Sequence, residues 1–561
     1  MRASSVSFKP RRFRWGFSLL IVVTVVLTLV KQGVGEDSAS GRSGMVSSAH
    51  PLATEAGLKI LRSGGNAFDA AVAVATALNV TEPMMSGIGG YGTIMIFSAE
   101  DQKAMFLNSS GLIPRRVDSD VYRAPTPDFR ENRRNAKAVS TPGNVNAWES
   151  MWKKYGSLQW ADLFGPAIEA AEQGFILNDR IAGMISGAYR RFPSHAKQIY
   201  GKDDEPLISG ERLIQADLAR SLKLIASEGA GVVHGGELGV AIDRAMREAG
   251  GFLRLDDLAD NEPEWYEPIS IEYRGYEIVT APPPANSFPA LVRLGLMSRF
   301  NNQDLGHNTT EFLHIFAEVT KHGFWTRLRY ALDPLVGQVP LDMLLSDEYW
   351  QQQVDMINLK AASPFTPPGA VPPGDSHTTH FVVADRWGNV VSATQTLGNS
   401  FGSRIMPEGT GIWLNNSLAY CTFEPKGNPM DAFPGRHKLS GDVPVLIIKD
   451  GRPHVALGTP GGHSIGQTVP QMIMNIIDFD MNVYDAIAAP RISFAEPDVL
   501  TVERGIAESV HEELAAMGHN VRSGGVLGNA HALTIEYDSE GVPVRFTGAA
   551  DPRGSGLARG Y

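Results

Sequence analysis

One cysteine in 561 residues, Cys421, excludes an intrachain disulfide. No catalytic motif surrounds it, so it reads as a small buried hydrophobe. Basic charge is in deficit, with 50 Lys and Arg against 61 Asp and Glu. The resulting net charge of −11 speaks against nucleic acid as a partner. The chain shows no internal repeat and no low-complexity tract. No group of His, Cys, Asp and Glu carries the spacing of metal ligands, so no metal and no cofactor is expected. An apolar run long enough to span a bilayer is also missing: the longest, Phe17–Val30, falls short of the roughly 20 residues required.

That run has a context of its own. Arg2, Lys9, Arg11, Arg12 and Arg14 precede it, and Val34-Gly35 follows it before Glu36. A basic start, a short apolar core and small residues at the end describe a signal peptide over residues 1–35. An uncleaved anchor is the alternative, since Trp15 and Gly16 lengthen the run. Both readings export the rest of the chain to a periplasmic or extracellular location. An exported chain with a single cysteine must rely on a large core. The composition allows one, with 43% hydrophobic and 20% charged residues.

Beyond a polar, loose stretch over residues 36–43, Pro51–Arg62 reads as a helix opened by proline and closed by Gly64-Gly65. The Ala/Val-rich segment Phe68–Leu78 predicts a helix buried on most sides. Gly87–Gly92 lies between a helix and a strand, the reverse of nucleotide-binding order, and is expected to be a tight turn against the core. Residues 140–360 read as mostly helical, with Pro166–Gln173 the clearest case and breaks at 282–290 and 364–373. From residue 378 onward strands dominate, at 380–385, 390–396, 443–449, 454–458 and 531–537, with helices at 467–477 and 509–517.

The hairpin that starts at Thr378-Thr379-His380 carries the chemistry. Cleavage of the His377–Thr378 bond gives Thr378 a free α-amine beside its own hydroxyl, a nucleophile and a base on one residue. The α-amine has a reference pKa of about 7.7–8.0, close to working pH. Taken alone, the tripeptide is equally a strand of β-branched residues.

Further blocks occur in a fixed order: Gly64–Ala73, Thr141-Pro142-Gly143, Thr378–His380, Gly411–Asn416, Pro460-Gly461-Gly462, Ala489-Pro490-Arg491 and Asp551-Pro552-Arg553. With these the chain resembles the γ-glutamyltransferase (γ-glutamyltranspeptidase, glutathione hydrolase) family of N-terminal-nucleophile hydrolases. The resemblance implies an α+β fold, a four-layer αββα sandwich. It also implies a precursor that splits into a large subunit, residues 36–377, and a small catalytic subunit, residues 378–561. By the same resemblance Thr378 is the nucleophile, Thr396 orients it, and the backbone N–H groups of Gly461 and Gly462 face the oxyanion. Donors of that kind typically contribute about 2.7–4 kcal/mol. Asn399, Asn416 and Ser440 correspond to substrate-binding positions. The implied partners are a small-molecule amide such as a γ-glutamyl compound, and water or an amine as acyl acceptor.

The donor-binding positions depart from that family. Ser110 stands where the family has the Arg that holds the donor's carboxylate, and Tyr420 where it has the acidic residue that holds the α-amine. Gly398 replaces an Asn, with Asn399 adjacent, and the family's paired serines are Ser440-Gly441. Arg404, Arg436, Lys438 and His463 are nearby cations in sequence, each read as a solvated surface residue. Three functions remain open at this stage: a γ-glutamyltransferase or glutathione hydrolase, an exported acylase of the same fold with a non-glutamyl donor, and a catalytically silent binding protein.

Overall fold

The computed structural model describes Met1 and residues 38–365, 377–495 and 498–561. The proposed leader lies outside these residues, as does residues 366–376 of the approach to Thr378.

Two seven-stranded sheets form the centre. One contains β1 (Ser38–Gly41), β6 (Ile269–Tyr273), β7 (Tyr276–Thr280), β10 (Val445–Lys449), β11 (Arg452–Gly458), β12 (His531–Tyr537) and β13 (Pro543–Ala550), in the order β1-β13-β12-β11-β10-β7-β6. The other contains β2 (Gly44–Ser48), β3 (Tyr91–Ser98), β4 (Lys103–Asn108), β5 (Glu264–Tyr266), β8 (His377–Asp385), β9 (Val390–Gly398) and β14 (Leu557–Gly560), in the order β14-β2-β8-β9-β3-β4-β5. Every pairing within these two sheets is antiparallel.

Period-two alternation assigns each side chain to a layer. In β8, Val382 and Ala384 join Leu446, Ala456 and Leu533 between the sheets. Phe381 and Val383 point the other way, into a core with α1 (Pro51–Arg62) and α2 (Ala67–Thr81). On the outer face of the first sheet, Ile278, Val445 and Leu457 pack against α3 (Phe288–Met297), α4 (Thr310–Tyr330) and α5 (Ile465–Ile477). The layers are therefore helix, sheet, sheet, helix, as the resemblance implied.

All 15 residues of α2 are buried, which explains why Asp69 is its one charged residue. Its start is fixed by Asn66, whose side chain accepts from Phe68 N and Asp69 N, while Asp69 accepts from Asn66 N. Asp385, at the end of β8, ties this helix to the β8–β9 turn. Its carboxylate accepts from Ala67 N at 2.8 Å and from Trp387 N and Asn389 N across the turn. Gly388 supplies the positive φ of 90° that the turn needs.

Three expectations need correction. The stretch at 36–43 is not loose throughout: β1 pairs with β13, its polar side chains at a sheet edge. The supposedly helical span contains β5, β6 and β7, whose short lengths and mixed burial give weak periodicity. The break at 282–290 overlaps α3, because Pro289 sits at the helix start, where a missing N–H costs nothing. Among the described residues no helix is long and apolar enough to cross a membrane.

Candidate active site

The β8–β9 register brings Thr378 opposite Thr396. A bulge follows, because His377 pairs with Gly398 and leaves Leu397 as the extra residue. Leu397 N is taken instead by Met85 O at 2.7 Å. The bulge turns Gly398 N back onto Thr396 Oγ1 at 2.8 Å. Thr378 Oγ1 donates to Thr396 Oγ1 at 3.1 Å, and Thr396 Oγ1 donates to the carbonyl of His377 at 2.7 Å. One hydroxyl thus touches both the expected nucleophile and the carbonyl of the bond expected to break. Next to Thr378, Thr379 Oγ1 donates to Glu82 Oε2 at 3.0 Å. Burial holds the Glu82 carboxyl above its ordinary range, with Arg180 and Thr379 opposing.

Thr378 and Thr396 open on a pocket whose walls include Tyr91, Asn286, Arg327, Tyr420, Lys438 and Asp442. Gly462 and His463 also reach it. Gly462 begins a short turn that runs directly into α5. Gly461 has φ 145° and Gly462 φ 55°, and a Cβ on Gly461 would lie 2.5 Å from Ser464 Oγ. Among the described residues neither glycine N–H donates to a protein acceptor.

The expected substrate-binding residues fall one layer back. Asn416 is fully buried, accepts Asn399 N at 2.8 Å and donates to Asn399 Oδ1 at 3.0 Å. Asn399 Oδ1 also receives the Tyr420 hydroxyl at 3.4 Å, so this pair stands behind Tyr420. Ser440 Oγ donates to Asp442 Oδ2 at 2.6 Å, and it is Asp442 that lines the pocket. Burial raises the Asp442 carboxyl, with Lys438 and Ser440 opposing.

Ser110 is elsewhere. It donates to Gly92 O at 3.2 Å and lines a separate recess with Asp257, Asp260 and Glu264. Gly398 explains the lost Asn: its φ is 96°, and a Cβ there would lie 2.4 Å from Asn416 Oδ1.

Among the four cations noted in the sequence, Lys438 is not a surface residue. Only 6% of it is exposed, and its ammonium lies 4.6 Å from the centre of the Tyr91 ring and 5.5 Å from that of Tyr420. His463 does face solvent, with its ring 6.1 Å from that of Tyr420. Arg404 and Arg436 are half-buried, and neither lines the pocket. Cys421 is buried as expected, and burial pushes its thiol up to about 12, but it too lines the pocket.

Sequence reasoning missed Arg327, Asp442, Asn286 and Tyr91. Tyr91 carried a usable signal, since it begins the strand paired with Thr396. Arg327 sits in the last turn of α4, about 50 residues before Thr378 in sequence, and carried none. A second polar group adjoins the pocket wall. His437 is held between Asp333 at 2.8 Å and Glu264 at 2.9 Å. Burial alone would lower its pKa, but the two carboxylates raise it to about 9.

Residues 53–561 match the family described as Gamma-glutamyltranspeptidase. The chain is 37% identical over 546 residues to the acylase ACY 1 proenzyme of Pseudomonas sp. strain SE83, covering 93% of this chain and 95% of that one. It is 34% identical over 546 residues to the glutathione hydrolase proenzyme of Bacillus subtilis strain 168, covering 93% and 92%. The crystal structure of a cephalosporin acylase from Bacillus halodurans superposes with a TM-score of 0.84 at 28% identity, covering 99% of both chains.

Proposed function

The chain belongs to the gamma-glutamyltranspeptidase family of N-terminal-nucleophile hydrolases, and from that premise we propose that Thr378 is the nucleophile of a self-cleaving amide hydrolase or acyltransferase. The observation that carries this reading is the double role of Thr396 Oγ1, bonded to both Thr378 Oγ1 and the His377 carbonyl.

In the precursor, Thr378 Oγ1 attacks the His377 carbonyl carbon. The C–N bond breaks, the hydroxyl proton passes to the departing nitrogen, and an ester joins the two parts. Water then hydrolyses the ester, leaving a carboxylate on His377 and a free amine and hydroxyl on Thr378. That amine takes the hydroxyl proton when Thr378 attacks an amide substrate, and returns it to the leaving nitrogen. Thr396 holds the hydroxyl in place. The N–H groups of Gly461 and Gly462, at the positive end of α5, receive the oxyanion. Water, or an amine, then takes the acyl group from Thr378.

The acyl group is γ-glutamyl or a related carboxylated acyl chain. A non-glutamyl donor is the second reading, favoured by Tyr420 in the pocket wall and by Ser110 in a different recess. Residues 36–377 and 378–561 are the two subunits of this proposal, and residues 1–35 direct the precursor out of the cytoplasm.

Intact-mass analysis of the purified protein tests the reading. Two chains, the smaller starting at Thr378, are expected from the wild type and one chain from Thr378→Ala. A Thr378→Ala protein that still splits would mean another nucleophile or an outside protease.

A further inference from the structure

Lys438 has a buried ammonium that makes no direct ion pair among the described residues. The residue is 94% buried by its 6% exposure, and its side chain reaches the pocket shared with Thr378. Two tyrosine faces flank it, yet among the described residues no oxygen accepts a hydrogen bond from Nζ and no carboxylate lies within ion-pair distance. Its charged form is opposed by burial and supported by Asp442 in the same wall. A buried ammonium left this way is costly unless something meets it. Aromatic faces offset part of that cost and leave its hydrogen-bond donors facing the pocket.

The same wall holds charge of both signs. Arg327 adds a guanidinium, with its Nη1 3.4 Å from His463 Nδ1, while Asp442 is the one carboxyl among the wall residues described. The Lys438 ammonium, buried and turned to the pocket, favours a ligand that brings a negative charge.

Resting on the reading of Thr378 as nucleophile, we infer that Lys438 is the counter-ion for a carboxylate on the acyl group of the substrate. This gives the donor's acid a binding partner in the pocket of Thr378, apart from the recess that Ser110 lines. The shared chemistry is an acyl chain ending in or bearing a carboxylate, whether a dicarboxylic half-amide or a γ-linked amino acid.

Three anilides separate the possibilities: glutaryl, γ-glutamyl and the uncharged, similarly sized pentanoyl. The wild type should favour at least one carboxylated anilide over pentanoyl by about tenfold or more in kcat/KM, the scale of one charge-assisted hydrogen bond. A preference for glutaryl identifies a dicarboxylic donor, and one for γ-glutamyl an amino-acid donor. In Lys438→Met that preference ratio should collapse toward one, mainly through KM, while Lys438→Arg retains it. The inference is overturned by a wild type that does not discriminate against pentanoyl, a result independent of whether any variant folds. It is equally overturned by a Lys438→Met protein that keeps the wild-type ratio. Failure of the Thr378 reading looks different: an unsplit chain that hydrolyses none of the three anilides.

Discussion

Thr396 Oγ1 lies 3.1 Å from Thr378 Oγ1 and donates at 2.7 Å to the carbonyl of His377. A bulge makes this possible, by sending Leu397 N to Met85 O and returning Gly398 N to the same hydroxyl. Thr396→Val keeps the shape and removes the hydroxyl. Splitting at His377–Thr378 should slow by about 10²–10³-fold, as for the loss of one donor to a reacting carbonyl. Thr396→Ser should split much closer to the wild-type rate. Gel time courses of freshly purified precursor measure both, and equal rates for Val and wild type would refute the role.

Gly461→Ala should impair turnover more than binding. At φ 145° a side chain is strained, and its Cβ would meet Ser464 Oγ at 2.5 Å. The turn ahead of α5 must then shift, moving the N–H groups proposed for the oxyanion. A fall in kcat with KM within about threefold is expected. Steady-state kinetics on whichever anilide the wild type accepts provides the check.

Restoring the family's pattern at Ser110 should bring no gain. Ser110 is buried, bonded to Gly92 O, and faces the recess of Asp257 and Glu264. Ser110→Arg should leave γ-glutamyl turnover no higher and cost about 1–3 kcal/mol by overpacking. A lower melting temperature with unchanged or reduced activity is the expected pair of results. A rise in γ-glutamyl turnover would show that the segment after β4 has a second arrangement.

The Asp333–His437–Glu264 group predicts an alkaline effect on stability. The His437 pKa is raised from 6.5 to about 9, so its protonated form stabilises the fold fully below pH 6.5. That share declines above 6.5 and is lost as the pH rises through about 9. Asp333 and Glu264 are shifted the opposite way against the cost of their burial, by His437 and neighbouring hydrogen bonds, and their share is lost only in acid. The melting-temperature gap between wild type and His437→Gln should therefore be widest near pH 5–6 and narrow by pH 9.5. A gap constant across that range would rule out titration of His437.

Arg491 and Asp551 are both fully buried and ion-paired, and Asp551 also accepts from Ala530 N at 3.0 Å. Asp551→Ala should cost about 3–5 kcal/mol, because it strands a guanidinium in the core. Thermal unfolding at neutral pH measures it. A shift of less than a degree would mean that water replaces the carboxylate.

The elements that face one core on a regular period were legible in the sequence. Pro51–Arg62 was read to the residue, and the buried helix after it only lacked its ends. His531–Tyr537 was likewise read to the residue, and the β8–β9 hairpin missed only a few terminal positions. In each case, local chemistry such as proline at a helix start, glycine at a turn or strand alternation carries the signal. The Thr378–Thr396 pairing was legible too, since a short hairpin links residues 18 apart. The pocket was not. Its wall joins Tyr91 on one sheet, Arg327 on a helix of the opposite layer, and Lys438 and Asp442 on a connecting segment. No sequence period relates these positions, because only the packing of four layers brings them together. The same packing put Ser110 outside the site and Lys438 inside it. Charge along the chain marks both arginines and lysines as surface residues by default, and only tertiary burial reveals exceptions such as Lys438 and Arg491.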